Sequence, residues 1–356
     1  MKFKYGVSPS YHNKVSTTNM MNDVTIALLF VAICSIVLQY SLYGIEGSIR
    51  AILIFVIAII TCVAVDYFYL KLTKVSKEKV GGTVRQNVPV ITGLILAMTL
   101  PLGNLDSYEI FYVTFISAII AELFGKLIYG GFGFNIFNPA GVGRAFALIA
   151  FGKYLAIPAI DGLASASPLT ALSSAEGLSA VTQTFNNYTS LLFGAHMGTI
   201  GETIVIPIIV AGIYLIYKNV IDWVLPATSI ITIAILAGVV SCFNGGFNID
   251  YILIHVLSGG LIFGGIFMLT DPVTNPINRQ GKMIYAIIFA LLTFLIRVYA
   301  SLPEGVVFSV LIVNMLVPMI DKFTANVTDV NVNKKVISVV ATLVVAIVLT
   351  CLFQFV

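Results

Sequence analysis

Charge is scarce in this sequence. Only 10% of its 356 residues are Asp, Glu, Lys or Arg, against about 25% in a soluble domain. That scarcity excludes an ordinary soluble enzyme, a nucleic-acid binder and a disordered chain. Histidine is scarce too. His12, His196 and His255 are too dispersed for a metal site, and His255 reads as a hydrogen-bonded core residue. The four cysteines, Cys34, Cys62, Cys242 and Cys351, are scattered through apolar runs with no CxxC. That excludes a disulfide framework and a Cys-rich iron–sulfur or zinc site. They read as buried, inert thiols. The chain stays polar up to Val24, too far along for a cleavable signal.

Apolar residues are what the chain has in abundance. They make up 59% of it, and the mean hydropathy is +1.02. One crossing takes ~20 apolar residues, so the composition suffices for roughly ten crossings. The expected class is an all-α polytopic membrane protein. Apolar runs predict spans over 24–43, 51–70, 88–102, 109–128, 139–151, 199–217, 223–242, 252–270, 283–300, 304–320 and 336–356. A long polar loop over 152–198 divides them.

Basic residues orient the spans. With the N-terminus cytoplasmic, only Arg50 and Lys153 fall on the outer side, and Arg144 and Arg297 lie within spans. All other Lys and Arg are then cytoplasmic, and the 152–198 loop is extracytoplasmic. The chain also carries weak internal similarity. Residues 92–101 (TGLILAMTLP) resemble 263–272 (FGGIFMLTDP), and 138–142 (NPAGV) resemble 302–306 (LPEGV). Each recurs five spans later, and an odd offset inverts the topology. Inverted repeats with Gly/Pro-interrupted helices surround a midplane site. The plain alternative is chance similarity between apolar helices that share few residue types.

Four stretches carry candidate chemistry. The outer loop holds 161–170 (DGLASASPLT), small and hydroxyl-rich, whose plain reading is a solvated linker. Residues 130–145 (GGFGFNIFNPAGVGRA) run from a Gly-rich loop into a helix with proline in its first turn. Free N–H groups there, with Arg144 a turn inside, suit an anion; small residues at such a place equally serve close helix packing. Residues 268–276 (MLTDPVTNP) end a span in hydroxyl, carboxylate and amide groups between prolines. They read either as a structured cation or ring site or as a helix end and turn. Last come ionisable residues inside spans, which are costly and so functional candidates: Asp66, Glu122, Arg144 and Arg297. Glu122 and Lys126 are spaced to pair on one helix, and Asp66 sits near enough to a span end to reach water.

Taken together, these stretches resemble the RnfD family, the D subunits of the Rnf electron-transport complex, whose sister is the NqrB subunit of the sodium-pumping NADH:quinone reductase. The matching pieces are 8–12 (SPSYH) with Ser16 and Thr17, 90–101 (VITGLILAMTLP), 130–145, 258–265 (SGGLIFGG), 270–276 (TDPVTNP), 303–306 (PEGV) and 314–321 (NMLVPMID).

The resemblance implies two inverted five-helix repeats, akin to urea and ammonium channels. On that frame, 1–23 is a cytoplasmic segment, 24–151 the first membrane repeat, 152–198 an outer flavin-carrying loop and 199–322 the second repeat. Residues 323–356 are a linker and an eleventh span outside the family core. It also implies FMN joined through its phosphate to a loop hydroxyl by a separate flavin transferase. The target signature reads Asp, two variable residues, Ser or Thr, Gly, Ala, then Thr or Ser. Asp161, Ala166 and Ser167 match, and Ala164 and Ser165 depart. Ser167 takes the acceptor position, with Ser165 and Thr170 as fallbacks. Asn138 and Arg144 are further cofactor-binding candidates, and a second, non-covalent flavin (riboflavin) is expected within the helices.

The function implied is that of one component of a redox-driven translocase, in the cytoplasmic membrane with the partners RnfA, RnfB, RnfC, RnfE and RnfG, incomplete alone. Electrons would pass between ferredoxin and NAD, coupled to Na⁺ or H⁺. Thr99, Glu122, Thr270 and Asp271 are the candidate cation path. Two readings compete: the NqrB subunit of the NADH:quinone reductase, and a flavin-free solute channel of the same fold.

Overall fold

A computed structural model describes residues 16–73, 77–105, 107–155, 192–194, 198–243, 246–258, 260–299, 305–325 and 332–353. The first helix, α1 (Thr17–Leu72), begins where the Ser16 hydroxyl accepts the Asn19 N–H. A straight helix of 56 residues would be ~84 Å long, far beyond one hydrocarbon core. Gly44 breaks it, at φ 68° and ψ −157°, a backbone conformation that costs other residues a Cβ clash. The two expected spans are therefore helical up to a single-residue break, where the sequence suggested a longer loop.

A polar helix, α2 (Lys77–Asn87), follows, which hydropathy did not reveal. Then come α3 (Pro89–Thr99), α4 (Glu109–Gly125) and α5 (Pro139–Phe151). The second half holds α6 (Val205–Tyr217), α7 (Val224–Phe243), α8 (Ile249–Leu257) and the short α9 (Leu261–Phe263), which continues as a π-helical turn, Gly264–Met268. The axes of α8 and the α9–π segment differ by 55°, so the expected eighth span is broken. Next are α10 (Arg279–Tyr299), α11 (Gly305–Ala325) and α12 (Val332–Phe353). Among the described residues six helices are long and apolar enough to cross a membrane, and the bent α8–α9 pair makes a seventh.

In the first half α1 packs on α3 and α4, and α4 on α5; in the second, α7 packs on α8 and α10, and α10 on α11. Contacts of α1 with α6, and of α5 with α11, join the halves. Two short segments lie at the centre. Every residue of α3 from Thr92 to Thr99 is buried, as is every residue from Leu261 to Met268. At ~1.5 Å per residue neither segment can cross a bilayer. Their ends therefore lie at membrane depth, where backbone groups must be satisfied by protein. The 198–204 connection does this for α3: the Ile200 and Gly201 N–H groups donate to the carbonyls of Leu100 and Met98 at 3.0 and 2.8 Å.

Two buried arginines fasten the irregular backbone. Arg50 donates to the carbonyls of Leu102 (2.9 Å), Leu105 (2.8 Å) and Ser107, and lies over the Phe111 ring. Arg297 donates to His255 and Ser258 carbonyls at 2.7 and 3.1 Å, across the α8–α9 break. His255 is buried as expected, but the expected hydrogen bond is absent. Neither ring nitrogen has a partner among the described residues, and the imidazole packs against Tyr251 and Phe294 at centroid distances of 4.6 and 5.0 Å. The cysteines also depart from expectation. All four are free, yet only Cys62 is buried, and Cys242 is exposed. α12 leans on α7 and α10 around Ala346, Leu236 and Phe294.

Candidate functional site

A cleft opens where the two halves meet. Its walls come from the start of α3 (Ile91, Thr92), the loop and first turn of α5 (Asn135, Asn138) and the end of the π turn (Thr270, Asp271), with Met21 of α1 and Leu215 of α6 closing the sides. About 680 Å³ is free of protein atoms, part of it open to the surface. Most of the lining is apolar, with a few convergent polar groups, which is the composition of a small-molecule site.

Behind one wall runs a chain of buried polar contacts. The Asn87 amide nitrogen donates to the Asp66 carboxylate at 2.7 Å. The Asn87 carbonyl accepts from the Lys126 ammonium at 2.8 Å. That ammonium lies 2.7 Å from Glu122 Oε1, as the four-residue spacing suggested. Asp66 and Glu122 are 0% exposed and Lys126 1%. Asp66 thus does not reach water. Asn87, the last residue of α2, covers it, and that helix was not foreseen.

The Gly-rich run resolves into caps and contacts. Asn138 Oδ1 accepts the Gly141 N–H at 3.1 Å, and its Nδ2 donates to the Met268 carbonyl at 3.4 Å. Asn138 is thus both N-cap of α5 and a link to the π turn. A Cβ on Gly143 would stand 2.7 Å from the Ser117 carbonyl and from Ala121 Cβ, so this glycine lets α5 lie directly on α4. Close packing accounts for it.

The structure gathers some of the sequence candidates and separates others. Asn138, Thr270 and Asp271 line the cleft, and Glu122 stands behind it through Lys126. The Thr270 hydroxyl donates to the Ile266 carbonyl at 2.5 Å. Asp271 accepts the Val273 N–H at 3.2 Å and the Thr274 hydroxyl at 3.3 Å. Thr99 ends α3 away from the cleft, its hydroxyl donating to the Leu96 carbonyl at 2.7 Å. Arg144 is buried within α5 but does not line the cleft. Asp161, Ser165, Ala166, Ser167 and Thr170 lie outside the described residues. Among the described residues no group of three His, Cys, Asp or Glu gathers as metal ligands.

One residue that sequence reasoning left unassigned matters here. Asn135 lines the cleft. Its amide nitrogen donates to the Phe137 carbonyl at 3.0 Å, and its oxygen is buried without a partner among the described residues. A buried acceptor left unpaired costs about 1–3 kcal/mol, so this oxygen is an unmet need for a donor in a residue that lines the cleft. Its place in the asparagine-rich loop was visible; its burial was not.

Relatives of known assignment resemble the whole chain. It is 33% identical over 320 residues to the D subunit of the proton-translocating ferredoxin:NAD(+) oxidoreductase complex of Clostridium ljungdahlii, covering 87% of this chain and 93% of that one. It is 32% identical over 321 residues to the D subunit of the Na(+)-translocating ferredoxin:NAD(+) oxidoreductase complex of Acetobacterium woodii, covering 89% and 92%. It is 28% identical over 358 residues to the D subunit of the ion-translocating oxidoreductase complex of Actinobacillus succinogenes, covering 90% and 96%. The family model described as NQR2, RnfD, RnfE matches residues 4–328, up to but not including α12. With buried half-length helices meeting at a cleft between the halves and this match across nearly all of its length, the chain belongs to the NQR2, RnfD, RnfE family.

Proposed function

We propose that this chain is the RnfD component of an ion-translocating ferredoxin:NAD oxidoreductase complex. It works in the cytoplasmic membrane with RnfA, RnfB, RnfC, RnfE and RnfG and couples electron transfer to Na⁺ or H⁺ movement. The observation that carries the reading is the largely apolar cleft between the halves, with an unmatched Asn135 acceptor in its lining and buried ionic groups behind it. The names of the relatives support RnfD over the NqrB component of an NADH:quinone reductase, with which the family model is shared.

Two flavins belong to the proposal. FMN would be joined through its phosphate to Ser167 by a flavin transferase, with Asp161 and Ala166 as recognition residues, on the extracytoplasmic loop. A non-covalent riboflavin would sit in the cleft. The donor set fits such a ring: Asn135 Oδ1 is free to accept an imide N–H, and apolar Ile91, Ile95 and Phe267 supply ring contact. A bound flavin supplies acceptance and release of one or two electrons. The residues of this chain hold the ring, keep water from it and set the charge beside it through Lys126.

The test is in-gel flavin fluorescence of the denatured protein, co-expressed with its transferase, beside Ser167→Ala. Fluorescence in the parent that disappears in the variant supports covalent FMN at Ser167. Fluorescence that survives moves the link to Ser165 or Thr170. None in either sinks the covalent flavin and favours the flavin-free channel.

A further inference from the structure

The buried chain behind the cleft does not balance in charge. Two carboxylates stand near one ammonium: Glu122 pairs with Lys126 directly, and Asp66 is joined to it only through Asn87. All three are buried. Asp66 Oδ2 is a buried oxygen without a hydrogen-bond partner among the described residues, and Glu122 has Lys126 and the Thr92 hydroxyl beside it. Asn87 offsets no charge, since an amide carries none.

An uncompensated carboxylate in a low-dielectric interior costs several kcal/mol even after relaxation. Such a group is neutralised or paired. With both carboxylates ionised the cluster carries one negative charge too many, and one monovalent cation restores neutrality. We propose that Asp66, Glu122 and Lys126 form a single-cation site, which takes up one proton or one Na⁺ and exchanges it through the adjoining cleft.

The surroundings fit an exchangeable site rather than a sealed one. Asn87 and Lys126 themselves line the cleft, so only this layer separates the carboxylates from an opening. Other titratable groups near the cluster are few. Cys62 on α1 donates its thiol to the Ala118 carbonyl at 3.7 Å. Asp271, across the cleft, also interacts with Lys126 and adds a third carboxylate to its surroundings. Neither supplies a second cation. The inference rests on the ion-translocating reading for its purpose, and it adds Asp66 and Lys126 to the path.

Dicyclohexylcarbodiimide tests it, because the reagent captures carboxyl groups that carry a proton and reaches apolar interiors. The intact complex, purified in detergent, is treated across a range of pH with and without NaCl, and peptides are read by mass spectrometry. Label on Glu122 or Asp66 is expected. A several-fold fall on raising the pH alone identifies the cation as a proton. A similar fall on adding NaCl at constant pH, not reproduced by choline chloride, identifies Na⁺. Glu122→Gln leaves Asp66 alone with the ammonium, so Asp66 should lose its label; Asp66→Asn should do the same for Glu122 and serves where the first variant does not assemble. No label on either carboxyl under any condition overturns the site, as does label that ignores both pH and NaCl, or label at Asp66 that persists in Glu122→Gln. Labelling does not depend on pumping. Absent label with ion transport intact overturns this site alone; the expected label in a complex that moves no ion overturns the translocation reading alone.

Discussion

The side-chain oxygen of Asn314 accepts the backbone N–H of Asn138 at 2.9 Å when the Asn314 amide is oriented to satisfy all its neighbours. The first residue before α5 is thereby tied to the middle of α11, and the two halves of the chain are locked at the cleft. In the same orientation the Asn314 nitrogen donates to the Tyr285 hydroxyl at 2.6 Å and the Val310 carbonyl at 3.2 Å. The Tyr285 hydroxyl in turn reaches the Thr274 carbonyl at 3.4 Å. Replacing Asn314 by Leu strands the Asn138 N–H, at a cost of about 1–3 kcal/mol, and Tyr285→Phe costs about 0.5–1.5 kcal/mol. Thermal unfolding of the purified protein should show the two effects summing to less than additivity, because they share one network.

Lys126 is the cation paired with buried Glu122 and linked through Asn87 to buried Asp66. Lys126→Met should cost about 3–5 kcal/mol, as for any buried ion pair broken from one side. Combining it with Glu122→Gln removes a charge of each sign and should recover part of that loss. A double variant no more stable than Lys126→Met would show that the 2.7 Å contact contributes nothing.

Gly143 stands where α5 touches α4. Its Cβ position lies 2.7 Å from the Ser117 carbonyl, and backbone on the facing helix cannot swing aside as a side-chain tip can. Gly143→Ala should destabilise by about 1–3 kcal/mol, and Gly143→Val by more. Detergent-resistant yield of the two variants is the measurement, and equal yields for parent and Val would contradict the packing.

At the polar end of α7, Asp222 pairs with Lys282 at 3.1 Å. Burial alone would raise the Asp222 carboxyl, but the Val224 N–H together with Lys282 and Arg279 outweighs it and holds the group below its usual range. A carboxylate depressed by folding stabilises the protein above its unfolded pKa and loses that contribution as pH falls through the folded one. The loss belongs below about pH 4. Asp222→Asn should flatten the unfolding temperature over that acid range and leave its pH dependence near neutrality unchanged.

Asn135 offers the cleft its one orphaned acceptor among the described asparagines that line it. Asn135→Leu should release non-covalent flavin from the purified complex while covalent fluorescence of this chain stays. Acid extraction followed by chromatography measures the first, and gel fluorescence the second. Retention of extractable flavin at parental levels would remove Asn135 from the proposed ring site.

Much of the architecture was legible because a bilayer imposes a length on every crossing. The expected 139–151 run is helical residue for residue as α5, although its 13 residues leave it outside the helices long enough to cross. The Glu122–Lys126 pair followed from spacing alone. α2 was not legible, since a polar helix leaves no hydropathy signal. Its absence misplaced Asp66 in water, and the missing hydrogen bond of His255 depended on ring neighbours from α8 and α10.

By itself, then, the sequence determined the class, the approximate ends of many helices, and the family, because each depends on local composition or on motifs read in order. Tertiary structure decided which polar groups share a place. Asn135, Asn138, Thr270 and Asp271 come from opposite halves of the chain and meet only because two half-length helices end inside the fold. The charge imbalance of Asp66, Glu122 and Lys126 belongs to the same level. Asp66, which looks unrelated along the chain to the Glu122–Lys126 pair, joins it in one electrostatic unit once water is excluded from around them.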